Sequence, residues 1–289
     1  MSKAESWTIL DTLRWTTGYL EGKGVPTPRL DAEVLLAWSL GVDRVRLYLD
    51  FERPLCPPEL ARYRELVRRR AKREPVAYIR GFKEFWSLEF DVTPAVLIPR
   101  PETEVLVEEA LKLARALSPK RPAALRVADV GTGSGAVAVV LARELNQPVL
   151  ATDASPEALE VARRNAHKHK AEVEFIRGDL LAPFADHSLD LVVSNPPYVP
   201  RAEVLHPAVP ELGFEPRGAL EGGEDGLDAL RRLASDAPRV LASGGWLVLE
   251  VGAGQATDTA RLLEAAGLRG VARVSDLAGI ERVVKGRRG

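Results

Sequence analysis

The chain has 289 residues, 46% of them hydrophobic and 28% charged, a globular balance that excludes a disordered, collagenous or coiled-coil protein. At about 150 residues per domain it divides into two. Forty basic against forty-one acidic residues leave a net charge of −1, which argues against a general nucleic-acid binder, and the single cysteine, Cys56, precludes an intrachain disulfide or a thiolate metal cluster.

Residues 1–20 carry Lys3, Glu5, Asp11 and Arg14, and no uncharged apolar run nears the roughly 18 residues of a membrane helix. A cytoplasmic protein without membrane contact is the expectation. Residues 1–74 read as helices alone. Trp7, Leu10, Leu13 and Trp15, then Leu30, Val34, Leu35, Trp38 and Leu40, recur at helical spacing between prolines and glycines, which predicts a small helical bundle. Its last helix, from about Pro58 to Arg73, sets Arg62, Arg64, Arg68, Arg69, Arg70, Lys72 and Arg73 against Glu59 and Glu65. Such a run either solvates a helix face or meets RNA or an acidic partner.

Between Pro75 and Ile98 lie Tyr78, Ile79, Phe82, Phe85, Trp86, Leu88, Phe90 and Val92, with Gly81 as a turn former, so residues 75–98 are predicted to be a β-hairpin linker. Residues 99–289 form the second domain. The run Ile98 to Glu104 opens a helix, with proline in its first turn and carboxylates where the macrodipole favours them; Leu106, Ala110, Leu113, Ala114 and Leu117 supply its buried stripe. Strands are predicted over 125–130, 149–152, 173–176, 189–194, 246–251 and near 271–274 and 282–284, with helices over 134–145, 156–167, 227–241 and 255–266. Uniformly apolar strands alternating with amphipathic helices imply an α/β, Rossmann-like fold with a mostly parallel seven-stranded sheet covered on both faces. Its ligands should bind beyond the carboxyl ends of the strands, where the winding direction reverses. His167 and His169, two apart on a helix, face different ways, so no metal site is expected.

The segment Asp129-Val130-Gly131-Thr132-Gly133-Ser134-Gly135 sits where the first of these strands turns into its helix. Glycines there let the backbone take positive φ and approach a ligand, and the first helical turn offers N–H groups to a carboxylate or a phosphate. Asp153, at the end of the second strand, can accept hydrogen bonds from both hydroxyls of a ribose, or it can cap the helix opened by Pro156. Gly131, Gly133 and Ala136 also satisfy the looser dinucleotide fingerprint, which leaves a nicotinamide enzyme open. The fuller Asp-x-Gly-x-Gly-x-Gly pattern resembles the first motif of methyltransferases that use S-adenosylmethionine. That resemblance implies that Gly131, Thr132, Gly133, Ser134 and Gly135 hold the methionine part of the cofactor and that Asp179 and Leu180 stand at its adenine.

Ser194-Asn195-Pro196-Pro197-Tyr198 ends the fourth strand. For an NH2 on a planar group, the Asn195 carbonyl oxygen can accept one hydrogen and the Pro196 main-chain carbonyl the other. Two prolines fix φ and remove N–H donors, and Tyr198 offers a flat face. Such a nitrogen is a poor nucleophile because its lone pair is delocalised; holding both hydrogens aims that lone pair. Orientation alone is worth roughly 7–11 kcal/mol, so no metal or covalent nucleophile has to be found.

Together with Arg73 to Gly81, Glu84 to Leu88, Leu97 to Glu104, Phe214-Glu215-Pro216 and Asp225-Gly226-Leu227-Asp228, these motifs resemble the release-factor glutamine methyltransferases of the HemK/PrmC family over nearly the whole chain. The resemblance implies transfer of a methyl group from S-adenosylmethionine to the amide nitrogen of the glutamine in the Gly-Gly-Gln loop of bacterial peptide chain release factors. It places Gly131 to Gly135, Asp153, Asp179, Leu180 and Asn195 at the cofactor. Asn195, Pro196, Pro197 and Tyr198 would hold the glutamine, with Asn195, Pro196 and Tyr198 as the catalytic set. The helical domain would dock on the release factor, and a monomer that needs no nucleic acid is expected. Many relatives carry tryptophan where Leu180 stands, and Leu205 to Glu211 matches loosely. The rivals are an amino methyltransferase acting on a nucleic-acid base or another protein, a nicotinamide-dependent dehydrogenase, and a non-enzymatic module that binds the ribosome or a release factor.

Overall fold

The computed structural model describes residues 7–120 and 123–289. They fall into two compact units that divide between Gly81 and Phe82. The first is helical: α1 (Ile9–Glu21), α2 (Pro28–Leu40), α3 (Arg44–Leu49), α4 (Pro57–Ala71) and α5 (Val76–Arg80). The Thr8 hydroxyl caps α1 by accepting the Asp11 N–H at 3.1 Å, and Gly41 ends α2 in the left-handed region at φ +68°. Ile9, Leu13, Leu35, Leu36 and Leu47 form the fully buried centre.

The basic run on α4 is divided by the fold. Arg62, Arg64 and Arg68 are exposed, but Arg70 is only 4% exposed and donates from Nε to Asp31 at 2.7 Å. Arg69 is bonded to Glu74, and Arg73 donates to the Gly24 carbonyl at 2.7 Å. Part of what reads in sequence as one solvated or partner-facing surface is therefore internal scaffolding.

Residues 75–98 also depart from the expected hairpin. Pro75 caps α5 and Gly81, at φ +84°, closes it, so this glycine ends a helix rather than turning a strand. The hairpin itself is shorter, with β1 (Phe82–Phe85) antiparallel to β2 (Leu88–Asp91). Its turn is made by Trp86 and Ser87 at φ +53° and +55°, the paired left-handed conformation of a tight hairpin, reached here without glycine.

The second unit continues with α6 (Thr103–Leu117), β3 (Val127–Val130), α7 (Ala136–Leu145), β4 (Val149–Asp153), α8 (Pro156–His169), β5 (Val173–Arg177) and β6 (Leu189–Ser194). Short helices α9 (Arg201–Leu205) and α10 (Arg217–Leu220) precede α11 (Asp228–Val240), β7 (Leu241–Glu250), α12 (Ala256–Ala265), β8 (Arg269–Ser275) and β9 (Glu281–Arg287). Helix α6 starts after both prolines of Ile98 to Glu104, one turn later than the sequence suggests, because neither the residue before Pro99 nor the one before Pro101 favours helical ψ.

The seven strands lie in the order β5-β4-β3-β6-β7-β9-β8, parallel from β5 to β7 and antiparallel at β9 and β8. Alternate strand residues feed two cores. Val127, Leu191 and Val193 pack under α6 and α7, while Ala128, Val130 and Val192 pack under α11. After β3 the chain winds outward to β4 and β5, then returns to β6 on the other side of β3. The carboxyl ends of β3 and β6 therefore flank the switch point where a ligand crevice opens. Among the described residues no helix is long and apolar enough to cross a membrane.

Candidate active site

A cleft of about 650 Å³ occupies that switch point, a size that suits a small organic ligand. Its walls include Gly131, Thr132, Gly133 and Ser134 after β3, Asp153 at the end of β4, Asp179 and Leu180 after β5, and Asn195 and Pro197 after β6. The fold thus joins four separate turns in one crevice.

The glycine turn is held from within. Gly131 and Thr132 donate their N–H groups to the Thr152 carbonyl at 2.8 Å, Gly133 donates to Asp153 Oδ2 at 2.9 Å, and Gly135 donates to the Thr132 carbonyl at 2.8 Å. Those N–H groups are consequently spent on the loop itself; in the first turn of α7, where the sequence offers donors to an anion, the Ala138 N–H is taken by Asp129. Gly131, Gly133 and Gly135 all have positive φ, and a methyl group on Gly131 or Gly133 would stand in open space. The open side is the cleft. Gly135 serves packing instead, because a Cβ there would lie 3.0 Å from that of Ala162.

Asp129 lies beneath the turn, 2% exposed, accepting from the Thr132 hydroxyl at 2.7 Å and the Ala138 N–H at 3.1 Å. Burial pushes its carboxyl up to about 7, with those two hydrogen bonds opposing and the Asp153 charge adding to the rise. Asp153 Oδ1 takes the Ser155 N–H at 2.9 Å. Ser155, not Asp153, caps α8, so the Asp153 carboxylate braces the loop and retains acceptor capacity toward the cleft. Asp179 is exposed and pairs with Arg232 at 2.6 Å; Leu180 is half-buried and held at φ +48°.

At the end of β6 the expected clasp is split between wall and interior. Asn195 and Pro197 line the cleft, Pro196 is buried, and Tyr198 packs inward with its hydroxyl 3.3 Å from Glu250 Oε1. Asn195 donates from Nδ2 to Thr103 Oγ1 at 3.1 Å. Gln255 fixes the following backbone by donating to the Tyr198 carbonyl at 2.9 Å. Close packing adds to this, since a Cβ on Gly226 would stand 2.3 Å from that carbonyl oxygen.

Comparison with known proteins agrees with this architecture. The "PrmC N-terminal domain" model matches residues 11–81 and the "Methyltransferase small domain" model residues 109–221. The release factor glutamine methyltransferase of Geobacter sulfurreducens is 50% identical over 99% of this chain and 99% of its own length. That of Koribacter versatilis is 44% identical over 93% of this chain and 95% of its own. The chain belongs to the release factor glutamine methyltransferase family. In fold alone, the chain is also like a methyltransferase from Pyrococcus furiosus, with a TM-score of 0.51 at 17% identity over 72% of this chain and 92% of that one.

Several polar residues of this methyltransferase that meet the site were not singled out as site residues by sequence. Thr103 lies in the helix opening and in the family segment Leu97 to Glu104, without a site role of its own there. Arg100 and Glu215 form an ion pair, and Glu215 also accepts the Ile98 N–H at 3.1 Å, tying two segments of the family pattern together. Asn165, fully buried on α8, donates to the Ser134 carbonyl at 2.8 Å and to the Asp91 carbonyl at 3.0 Å, joining the glycine turn to the hairpin. Glu250, the last residue of β7, lies 1% exposed behind the Asn195 turn. Arg100, Thr103 and Glu215 lie within the family motifs, whereas Asn165 and Glu250 lie outside them.

Proposed function

We propose that this chain transfers a methyl group from S-adenosylmethionine to the side-chain amide nitrogen (N5) of the glutamine in the Gly-Gly-Gln loop of a bacterial peptide chain release factor. Support comes from family membership over the full length and from the chemistry of the cleft. The observation that carries it is the meeting, at one switch point, of an open glycine cradle after β3 with an asparagine whose NH2 is already engaged. When bound, the cofactor supplies an electrophilic methyl group on a sulfonium sulfur. The residues that would hold it are Gly131 to Gly135 through their open side, Asp153 at the ribose, and Asp179 and Leu180 at the adenine.

The chain's own contribution is positional. With Nδ2 committed to Thr103, the Asn195 carbonyl oxygen is the end left to accept a substrate N–H. Pro196 and Pro197 stiffen the turn, and the Pro196 carbonyl is the second acceptor of this reading. Gripping the amide nitrogen by its hydrogens orients a lone pair that resonance otherwise withdraws, and the displaced proton leaves to water. The helical unit is the second part of the proposal. Trp7 and Trp15, 40% and 55% exposed and in edge contact at 6.3 Å, stand with Arg64 and Arg68 along one groove, suited to docking an intact release factor. This reading makes the protein a monomeric cytoplasmic enzyme.

Mass spectrometry of a release factor incubated with the protein and S-adenosylmethionine tests it. One added methyl on the loop glutamine is the expected result, and methylation of DNA or rRNA with an unmodified release factor would overturn it. Replacing Trp7 and Trp15 together by alanine should impair methylation of the intact factor more than that of a loop peptide.

A further inference from the structure

Helix α8 meets both the hairpin and the glycine turn on one face, where Ala162, Asn165 and His169 follow at helical spacing. His169 Nε2 donates to the Glu89 carbonyl at 2.8 Å, and its ring lies 5.0 Å from that of Phe90. Lys168 Nζ reaches Glu89 Oε1 at 2.8 Å and Asp91 Oδ1 at 2.7 Å. Glu89 and Asp91, two apart on β2, turn their main-chain groups to the edge that β1 does not pair. Side chains of α8 thus cover that edge as a third strand would.

Asn165, 0% exposed, does more than cover the edge. Its Oδ1 accepts the Asp91 N–H at 2.8 Å, while its Nδ2 donates to the Asp91 carbonyl at 3.0 Å and to the Ser134 carbonyl at 2.8 Å. One N–H and two carbonyls meet one accepting oxygen and two amide hydrogens, so every group is satisfied and only one orientation of the amide serves. Aspartate would turn a second acceptor toward two carbonyls, glutamine is a methylene too long for a closed site, and leucine would leave three main-chain groups unpaired. Docking the hairpin uses two of these bonds. The third goes to the turn that lines the cleft. Gly135 supports the same contact: a Cβ there would lie 3.0 Å from that of Ala162, so the turn is pressed onto α8 where Asn165 reaches it.

Asp91 leads directly into residues 92–100, of which Ala95, Val96 and Leu97 line the same cleft as Gly131 to Ser134. The far end of that segment is held by Glu215, which accepts the Ile98 N–H at 3.1 Å. We propose that Asn165 is a positioning residue of the cofactor site: one buried carboxamide ties the glycine turn to the start of the 92–100 segment and so sets the spacing of these two parts of the cleft wall before S-adenosylmethionine arrives. A wall fixed in advance need not be ordered on binding, and affinity gains by that amount.

The inference rests on the cofactor reading and on nothing about the methyl acceptor. In titration calorimetry with S-adenosylhomocysteine, Asn165→Leu, close in volume, should bind on the order of 10- to 100-fold more weakly than wild type. His169→Ala loosens the hairpin edge but keeps the Ser134 bond, so it should lower the melting temperature and leave that affinity unchanged. Hydrogen exchange in the wild type gives a readout free of any substitution, and it decides the matter should Asn165→Leu fail to fold. Saturating S-adenosylhomocysteine should slow exchange of the Asp91 N–H, which lies outside the cleft lining, because a steadied turn gives Asn165 a firmer anchor. Asn165→Leu binding like wild type, His169→Ala binding as weakly as Asn165→Leu, or an Asp91 N–H that ignores the ligand would overturn the inference. A wild type that binds no S-adenosylhomocysteine would sink the cofactor reading and the inference with it. Weakened binding by Asn165→Leu in a protein that leaves release factors unmethylated would uphold the inference and remove the substrate assignment alone.

Discussion

Among the described residues the helical unit buries its carboxylates only against cations, whereas the sheet unit, which likewise pairs Asp190 with Arg126 and Glu215 with Arg100, leaves two buried carboxylates without one. In the helical unit Arg70 meets Asp31 at 2.7 Å, and Glu33 accepts from Arg29, Arg44 and Tyr48 at 2.6, 2.8 and 2.6 Å. Burial works to raise the Glu33 carboxyl, but those three partners carry it below the ordinary carboxylate range. In the sheet unit Asp129 and Glu250 accept from hydroxyls and backbone alone, with no arginine or lysine donor among the described residues, and burial pushes both up to about 7. Where opposite charges are matched, the carboxylates act as architecture. Where they are left unmatched, at the carboxyl edge of the sheet, they stand beside the cleft, as expected of groups whose charge state is put to use.

The largest break in this contrast should come from the matched pair. Arg70→Ala leaves Asp31 buried without its cation and should cost about 3–5 kcal/mol in urea unfolding, whereas Asp31→Leu with Arg70→Met together should come out near neutral. Cofactor affinity should be unchanged in both, measured by calorimetry. Asn195→Ala moves the other quantity. Turnover should fall on the order of 100-fold or more with melting temperature and cofactor affinity preserved, and a variant that keeps half its rate would contradict the clasp.

Glu250→Gln should sharpen the contrast through pH. Because the folded carboxyl titrates near 7 against an ordinary value of 4.5, its favourable contribution is fully present below about 4.5 and is lost as pH rises through 7. Wild type should therefore lose up to about 3 kcal/mol relative to the variant across that window. Asp129 slopes the same way, so the informative quantity is the difference between the two melting curves at each pH. A difference that is flat from pH 4 to 8 would mean Glu250 is not the buried acid. Asp153→Ala comes next: freed of their acceptor, the Gly133 and Ser155 N–H groups loosen the turn, and cofactor binding should weaken roughly 10-fold, about 1.4 kcal/mol.

What could be read from sequence was what neighbours in sequence decide. The predicted helix over 156–167 is observed as Pro156–His169 because Ser155, Pro156 and the apolar spacing are all local. The glycine turn and the Asn195 end of β6 were legible for the same reason. Strand β7 begins at Leu241, ahead of the predicted Trp246, since Ser243-Gly244-Gly245 looks like a loop until pairing with β6 through a register shift draws it into the sheet. The roles of Thr103, Asn165 and Glu250 were not legible for a different reason. Each is an ordinary helix or strand residue whose partner lies far along the chain, 92 positions separating Thr103 from Asn195 and 52 separating Tyr198 from Glu250.

The smallest expected effect lies two residues from the largest. Arg68 and Arg70 belong to one basic run in sequence and to one helix in the structure, yet Arg68 pairs with Glu65 at 3.4 Å with both side chains more than 60% exposed, while Arg70 is enclosed. Water solvates the Arg68 guanidinium as well as Glu65 does, and holding two long side chains together costs rotamer freedom, so Arg68→Ala should change stability by no more than about 0.5 kcal/mol. Salt distinguishes the two cases further. At 1 M the Debye length shrinks to about 3 Å, which should erase the little that Arg68 contributes and leave the cost of Arg70→Ala nearly intact, because solvent ions do not reach a buried pair. If Arg68→Ala proved as damaging as Arg70→Ala, burial could not be what separates scaffold from surface on this helix, and the docking role given to its exposed arginines would have to be sought elsewhere on the unit.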